Sequence, residues 1–314
     1  MSRKRFTAEQ IIRILWQGEV FLSQGQKVSE VCRGLGITQQ TYYRWRKEFG
    51  GMKVSQARRL KELQRENTRL KRAVAELTLD RWEGEIDLIR ASFPERPIIA
   101  SIAGGGNPHE WQEIVRRVEP HGINGYEINV SCPNLGGKEK GEDKAEQDTK
   151  AMVLAVGWVK EATELPVIVK LTPNVTDIAA LAQAAVEAGA DALTMGNSLS
   201  GLGGINLENF TPLPTVVDKG IIGGYGGPGL KPVNLRCTAN IAQDMPTPIF
   251  GCGGIERWQD AAEYMTVGAS AVQICTAVMW RGIQIIQKLA KGLENYLERH
   301  GGNSPSALTP ITCL

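Results

Sequence analysis

Beyond about residue 98 the chain alternates between short apolar runs and longer stretches in which apolar residues recur every three to four positions. The apolar runs predict β-strands at 98–102, 126–130, 167–171, 192–195, 249–251 and 271–275. The periodic stretches predict helices at 108–118, 149–162, 177–188, 231–242, 259–267 and 280–298. Apolar strands that alternate with helices are typical of a parallel sheet covered by helices. We therefore expect an α/β fold with its polar and glycine residues at the carboxyl ends of the strands.

The first 50 residues predict a small all-α helix-turn-helix domain. Thr7 to Gln10 forms a capping-box pattern that opens a helix, and further helices are predicted at 28–35 and 39–49. In this plan the last helix enters the major groove of DNA. The candidate base or phosphate contacts on that helix are Gln39, Gln40, Thr41, Arg44 and Lys47. Tyr43 and Trp45 are expected to pack the small core, and a solvated basic helix is the alternative reading.

A seven-residue repeat follows this domain and predicts a short coiled coil. Its a positions are Leu60, Asn67 and Val74, and its d positions are Leu63, Leu70 and Leu77. Asn at an a position favours two parallel strands, so we expect a homodimer. An amphipathic helix that packs on its own chain remains the alternative.

Charge separates the two parts of the chain. Residues 1–80 hold 17 Lys and Arg against 8 Asp and Glu, whereas the whole chain has a net charge of only +2. The excess of positive charge in residues 1–80, which we call the head, is typical of a segment that binds nucleic acid. The six cysteines lack paired spacing, which predicts reduced thiols and a cytoplasmic location, and the three histidines are too widely spaced for a metal site. No run is long and apolar enough to cross a membrane, and no signal-peptide core follows the N-terminus.

Candidate chemistry is concentrated directly after the strand predicted at 126–130. Asn129, Cys132 and Asn134 follow one another there at a strand end. A carboxamide offers a donor and an acceptor on one plane, which suits a cyclic amide or imide, and a thiol can exchange a proton with a substrate carbon. The alternative is a structural cysteine beside a turn proline.

Two glycine runs, 223–229 and 251–254, each precede a predicted helix. Glycine lets backbone N–H groups approach a phosphate without a Cβ atom in the way, and a helix start adds a favourable dipole. Tight turns would explain each run taken alone. Two such runs on successive late βα units match the phosphate site that is common in α/β barrels.

Six motifs occur in one order: EINVSCPN at 127–134, VKLTPNVTDI at 169–178, MGNS at 195–198, GGYGGPGLKP at 223–232, GCGGI at 251–255 and QICTA at 273–277. Together they resemble the FMN barrel of class 1 dihydroorotate dehydrogenases, and more closely the pyrimidine-reducing subunit of NAD-dependent dihydropyrimidine dehydrogenase. The resemblance covers about two thirds of the chain. It implies a (βα)8 TIM-type barrel that lacks its first two strands, which the helical head replaces, and this loss is expected to impair activity.

The resemblance also assigns roles residue by residue. Cys132 would exchange the proton at pyrimidine C5 while a hydride passes between C6 and the flavin, and Lys170 would lie against the flavin ring. The implied substrate ligands are Asn129, Asn134, Asn197 and Ser198. The implied FMN ligands, besides Lys170, are Gly226, Gly227, Gly253, Gly254, Cys275 and Thr276. Position 134 departs from the dihydropyrimidine dehydrogenase pattern, so the choice between uracil or thymine and orotate stays open.

No C-x-x-C pair and hence no iron–sulfur motif is present, so electrons would reach NAD through a partner subunit with FAD and iron–sulfur clusters. Residues 1–79 in turn resemble the IS3-family transposase first-frame protein, a helix-turn-helix followed by a leucine zipper. The expected domains are a helix-turn-helix at 1–52, a coiled coil at 53–80, a partial FMN barrel at 81–301 and a disordered tail at 302–314. The competing function is a transposon-derived DNA-binding dimer that carries an inactive barrel fragment.

Overall fold

A computed structural model describes residues 6–50, 54–129, 144–216 and 219–300, together with Gly302 and Leu308. The chain divides into two compact units, Met1–Arg81 and Trp82–Leu314. One long helix, which belongs to both units, contains the point of division.

In the first unit, the described residues contain helices and turns but no strand. Its helices are α1 at Ala8–Ser23, α2 at Val28–Gly34, α3 at Gln39–Phe49 and the start of α4, which runs over Val54–Ser92. The Thr7 side chain accepts a hydrogen bond from the Gln10 backbone and Gln10 caps Thr7 in return, as the capping box predicts. Gly36, in the turn before α3, has a φ of 66°, a conformation that favours glycine. The three helices of the predicted helix-turn-helix are thus present with nearly the expected bounds.

The core of this unit corrects one prediction. Tyr43 was expected inside, yet it is 52% exposed, while the neighbouring Tyr42 is completely buried. Tyr42 and Trp45 are three residues apart and therefore lie on the same face of α3, where they pack with Ile11, Leu15 and Cys32. Tyr43 points about 100° away around the helix. Trp45 is buried as predicted.

Helix α4 carries an exposed apolar stripe within the first unit. Leu63, Leu70, Val74 and Leu77 are each at least 50% exposed, and Asn67 is exposed as well. An ion pair between Arg69 and Glu66, 2.8 Å apart, lies along the same helix. The predicted coiled coil would cover this stripe, and it remains a prediction.

The second unit contains twelve short strands and seven complete helices within its described residues. The strands are β1 Ile99–Ile102, β2 Gly125–Asn129, β3 Val167–Leu171, β4 Ala192–Met195, β5 Leu199–Gly201, β6 Gly204–Asn206, β7 Thr211–Leu213, β8 Thr215–Val216, β9 Lys219–Gly220, β10 Gly223–Tyr225, β11 Ile249–Cys252 and β12 Ala271–Gln273. The helices are α5 Pro108–Val118, α6 Lys144–Lys160, α7 Ile178–Glu187, α8 Lys231–Asp244, α9 Trp258–Thr266, α10 Thr276–Arg281 and α11 Gln284–Arg299.

Six of these strands form one parallel sheet in the order β1-β2-β3-β4-β11-β12. The other six form three two-stranded antiparallel ribbons between β4 and α8. The sheet is strongly curled, because Gln273 on β12 reaches Glu127 on β2 at 2.6 Å although three strands lie between them. The unit is therefore an α/β fold with a six-stranded half-barrel, consistent with a TIM-type barrel, as the alternation of the sequence predicts.

The last turns of α4, from Trp82 onward, are hydrogen-bonded through Arg90 to the loops on either side of β1. Arg90 donates to the carbonyls of Pro94 at 2.8 Å and Arg96 at 2.9 Å, to the carbonyl of Gly122, and to Asn124 Oδ1 at 2.8 Å. These contacts close the amino-terminal side of β1.

Most predicted bounds agree with the structure to within two residues, and three of the differences are as follows. The helix expected at 280–298 is two helices, α10 and α11, because Gly282 interrupts it with a φ of 76°. The last strand ends at Gln273, two residues earlier than predicted, and α6 begins at Lys144 instead of 149. Among the described residues, no helix is both long and apolar enough to cross a membrane.

Candidate functional site

A polar network fills the interior of the curled sheet around Glu127, which is only 4% exposed. Its Oε1 atom accepts hydrogen bonds from Ser101 on β1 at 3.0 Å and Lys170 on β3 at 3.2 Å. Its Oε2 atom accepts from Thr194 on β4 at 2.8 Å and Gln273 on β12 at 2.6 Å. Four strands thus each contribute one donor side chain to a single buried carboxylate on a fifth strand, β2.

The environment of Glu127 favours its charged form. Burial by itself raises the pKa of a carboxyl group, but hydrogen bonds from Gln273 and Thr194 and the charge of Lys170 hold the pKa of Glu127 below its usual value. Lys170 Nζ is in turn 3.2 Å from Gln273 Oε1. The interior therefore contains a fixed ion pair between Glu127 and Lys170.

Predicted substrate ligands meet at the carboxyl ends of the strands. Asn197, which follows β4, donates from Nδ2 to Asn129 Oδ1 on β2 at 3.0 Å. The Ser198 backbone N–H donates to Asn197 Oδ1 at 2.9 Å. Asn129 is also the register partner of Lys170, so these residues share one end of the barrel with the predicted flavin-facing lysine. Cys132 and Asn134, the remaining predicted members, lie outside the described residues.

Asn174 is a member of this end of the barrel that sequence reasoning missed as a site residue. Its Nδ2 donates to Thr172 Oγ1 at 2.8 Å and to the Ser198 carbonyl at 2.9 Å. Its Oδ1 accepts from the Ser200 backbone N–H at 2.8 Å. Asn174 thereby fixes the segment that carries Ser198. Its position in a Thr-Pro-Asn turn directly after β3 was the available signal.

The two glycine runs approach each other closely. A Cβ atom on Gly254 would lie 3.0 Å from the Gly227 carbonyl oxygen and 2.9 Å from the Lys231 backbone nitrogen at the start of α8. Gly227 has a φ of 86°, Gly253 of 118° and Gly254 of 72°, so side chains are excluded by conformation as well as by space. These glycines and Gly226 together form what we call the glycine cradle, and the Lys231 backbone nitrogen at the start of α8 lies beside it. Backbone N–H groups and a helix start are groups that bind phosphate.

Thr276 borders the same glycine cradle. Its Oγ1 atom would be 3.9 Å from a Cβ atom on Gly226, and its Cγ2 atom 3.7 Å from one on Gly227. Cys275 is exposed and precedes Thr276 at the start of α10. The structure therefore brings Gly226, Gly227, Gly254 and Thr276 close together, and their role as FMN ligands remains a prediction.

Asn234 carries a buried acceptor and lies near both Gly253 of the glycine cradle and Asn197. Asn234 on α8 donates from Nδ2 to the Cys252 carbonyl at 2.8 Å, whereas its Oδ1 atom has no partner among the described residues. A Cβ atom on Gly196 would lie 3.2 Å from that oxygen. Burial raises the pKa of the adjacent Cys252 thiol, and the charge of Lys170 offsets this only in part. An unsatisfied buried acceptor is the kind of group that a bound polar ligand would satisfy.

No group of three or more His, Cys, Asp or Glu side chains that could hold a metal ion occurs in the part of the chain that the structure describes.

Comparison with known proteins agrees with this geometry. A family model described as dihydroorotate dehydrogenase matches residues 51–297, about four fifths of the chain. The chain belongs to the dihydroorotate dehydrogenase family. A second family model, described as transposase, matches residues 1–75. Both resemblances noted in the sequence are thereby confirmed.

Relatives in the dihydroorotate dehydrogenase family carry two kinds of name. The catalytic subunit of dihydroorotate dehydrogenase B (NAD(+)) from Thermococcus kodakarensis is 38% identical over 223 residues, which cover 71% of this chain and 70% of that protein. A subunit of NAD-dependent dihydropyrimidine dehydrogenase from Escherichia coli K12 is 34% identical over 238 residues, 74% of this chain and 56% of that protein. The chloroplastic dihydropyrimidine dehydrogenase (NADP(+)) of Arabidopsis thaliana is 30% identical over 233 residues, 72% of this chain and 55% of that protein.

The helical head of this dihydroorotate dehydrogenase family chain presents its predicted DNA contacts on α3. Gln39, Gln40, Arg44 and Lys47 are exposed, and Tyr43 lies among them. Thr41 is partly buried, and its hydroxyl is 2.8 Å from Thr38 Oγ1 at the start of the helix. Thr41 thus takes part in capping, which competes with a role in reading DNA.

Proposed function

We propose that the second unit is an FMN-dependent oxidoreductase that acts on the 5,6 bond of a pyrimidine. The observation that carries this proposal is the hydrogen bond of 3.0 Å between Asn197 and Asn129, at the same end of the barrel as the fixed ammonium group of Lys170. Two carboxamides from separate strands can grip a cyclic amide edge, because each offers both a donor and an acceptor.

The residues of the glycine cradle would hold the cofactor. Backbone N–H groups around Gly226, Gly227, Gly253 and Gly254 would bind its phosphate, and the start of α8 favours the negative charge. Cys275 and Thr276 would contact the same group. The free Oδ1 atom of Asn234 supports the presence of a polar ligand here, since none of the described residues satisfies it. FMN, when bound, supplies the centre that exchanges a hydride with pyrimidine C6.

Side chains of this protein would orient the pyrimidine, exchange its proton and place a charge beside the cofactor. Asn129, Asn134, Asn197 and Ser198 orient the pyrimidine, and Asn174 keeps the Ser198 segment in place. Cys132 exchanges the proton at C5. Lys170 places a positive charge beside the cofactor. The relatives are named for both dihydroorotate and dihydropyrimidine, so the proposal covers both substrate classes.

Electrons would enter or leave through a partner subunit. Relatives in both groups are named as subunits of NAD-dependent enzymes. We therefore propose a partner that carries FAD, NAD and iron–sulfur clusters.

Visible absorption of the purified, desalted chain tests the cofactor assignment. We expect flavin bands at near one FMN per chain, or their appearance after incubation with FMN. Gly254→Val should abolish binding, because its φ of 72° and the backbone atoms within 3.0 Å leave no room for a side chain. Gly157→Ala is the matched control, since nothing lies within 4 Å of its Cβ position. A colourless wild-type chain after incubation with FMN would overturn the proposal.

Turnover assays with uracil, thymine and dihydroorotate test the reaction itself. Cys132→Ser should bind FMN like the wild type and lose most of its turnover, because a hydroxyl is a far weaker proton donor and acceptor than a thiol near neutral pH. Full activity of this variant would remove Cys132 from the mechanism.

A second function is supported by the first unit. We propose that the head binds duplex DNA as a dimer, because α3 presents Arg44 and Lys47 to solvent and the apolar stripe of α4 is exposed. Leu70→Lys should give monomers in sedimentation, whereas Ala75→Lys, at a b position, should not. Binding to labelled duplex DNA should weaken with salt and with Arg44→Ala, but not with Arg13→Ala on α1. Salt-independent binding, or none, would contradict it.

A further inference from the structure

Glu127 has no part in the proposed reaction, yet it is the centre of the barrel interior. It is 4% exposed and accepts hydrogen bonds from side chains on β1, β3, β4 and β12. Removing a carboxylate from water is unfavourable, so a buried carboxylate is stable only where hydrogen-bond partners or an opposite charge compensate it. Its position next to Lys170 indicates what it does.

Lys170 is a flexible side chain held by two acceptors. Its Nζ atom is 3.2 Å from Glu127 Oε1 and 3.2 Å from Gln273 Oε1. Gln273 also donates to Glu127 Oε2 at 2.6 Å, so the three side chains form a closed triangle across the curled sheet. A lysine has four rotatable bonds, and without these acceptors its ammonium group would be free to move.

The ion pair between Glu127 and Lys170 determines the net charge at this point of the barrel interior. Glu127 and Lys170 neutralise each other, and replacement of the carboxylate by an amide of the same shape would leave the ammonium charge uncompensated. Reduction adds negative charge to a flavin, so an uncompensated cation beside it favours the reduced form.

We propose that Glu127 is a positioning residue that holds Lys170 at the cofactor and lowers the reduction potential of the bound flavin by neutralising that lysine. This inference rests on the proposed function of Lys170 as the flavin-facing cation. It concerns the potential of the cofactor and is separate from the question of which pyrimidine is used.

The midpoint potential of the FMN-loaded full chain tests it, measured by reductive titration against a dye of known potential. Glu127→Gln should stabilise the reduced form by about tenfold, which is about 30 mV upward for a two-electron couple. Lys170→Met should shift the potential downward, and Glu127→Asp should restore it towards the wild type. Glu187→Gln, an exposed carboxylate on α7, is the control and should leave it unchanged.

An unchanged potential in Glu127→Gln, or a shift in the same direction as in Lys170→Met, would overturn the proposal. A purely structural role would reduce stability or FMN content in both variants without moving the potential in opposite directions.

Urea unfolding of the FMN-free chain measures the interaction between Glu127 and Lys170 independently of the cofactor. Each single variant leaves a buried charge unpaired, whereas the double variant Glu127→Gln/Lys170→Met leaves none. The double variant should therefore unfold at a urea concentration at least as high as either single variant does. Additive losses would refute the positioning role. If the wild type takes up no FMN, the proposed function and the effect on the reduction potential are both refuted. Non-additive losses of stability in urea would still support the pairing of Glu127 with Lys170.

Discussion

Replacement of Arg90 by methionine should destabilise the second unit while leaving the barrel interior untouched. The two terminal guanidinium nitrogens of Arg90 donate hydrogen bonds to four acceptors: the carbonyls of Pro94, Arg96 and Gly122 and the Asn124 side chain. Asn124 Oδ1 also accepts the Ile98 backbone N–H at 2.9 Å, directly before β1. The variant therefore loosens the entry to the first strand of the sheet.

The expected loss is roughly 2–4 kcal/mol. A hydrogen bond to a charged group contributes about 1.5–3 kcal/mol, but these four share one partly exposed side chain, and water can reach some of the acceptors afterwards. Methionine keeps the packing of the aliphatic stem, so the loss reports mainly on the guanidinium group. Arg90→Lys should lie in between, because one ammonium group cannot span acceptors that a planar fork reaches.

Urea unfolding followed by near-ultraviolet circular dichroism measures the effect. Arg96→Met is the matched control, because that side chain is exposed and its carbonyl, which Arg90 contacts, is retained. The control should stay within about 0.5 kcal/mol of the wild type. If Arg90→Met also stays within this range, the four contacts contribute no net stability and the reasoning is refuted.

Three further predictions concern acid stability, substrate affinity and the C-terminal helices. Asp260 accepts from Lys231 Nζ at 2.7 Å and from the Glu256 and Arg257 backbones; burial opposes ionisation, but these contacts hold its pKa below the usual value. Its stabilisation is thus present above about pH 4 and is lost as pH falls through the lowered pKa, so Asp260→Asn should flatten the acid limb of a stability-versus-pH curve; an unchanged limb would contradict this. Asn174→Ala should raise the substrate KM about tenfold with FMN content unchanged, since it releases the Ser198 segment; equal loss of FMN would show a general collapse. Gly282→Ala should cost about 1–3 kcal/mol in thermal or urea unfolding, because a φ of 76° strains any other residue, whereas Gly84→Ala on α4 should not be destabilising.

Local signals in the sequence were sufficient for most elements of the sheet and its helices. Helix α5 has the predicted bounds because Asn107 caps it and Pro108 occupies its first position. Strands β3 and β4 also match, since unbroken apolar runs leave little choice of register. The break at Gly282 was missed because glycine in a helical pattern does not reveal whether the chain will use its left-handed freedom.

The sequence motifs predicted which residues come together at the candidate site, but not the hydrogen bonds inside the barrel. The asparagine pair and the meeting of the glycine runs follow from the rule that strand ends converge. The bond between Glu127 and Gln273 joins residues 146 positions apart and depends on how far the sheet curls, which no local pattern encodes. A charged residue within the apolar run of β2 was nevertheless a visible sign that its partners had to come from elsewhere.

The ribbon segment between β4 and α8 has a consequence for the order in which the sheet can assemble. Strands β1 to β4 are neighbours both in the chain and in the sheet, so each pairing closes a single strand–helix–strand connection. Leu193 on β4 pairs with Ile249 on β11 only after the whole ribbon segment and α8 have been looped out, which raises the entropic cost of closure. We expect the first four strands to associate early and the last two to join late. A protease that cuts within the ribbons before this late step would trap a species in which half of the glycine cradle has never met the other half.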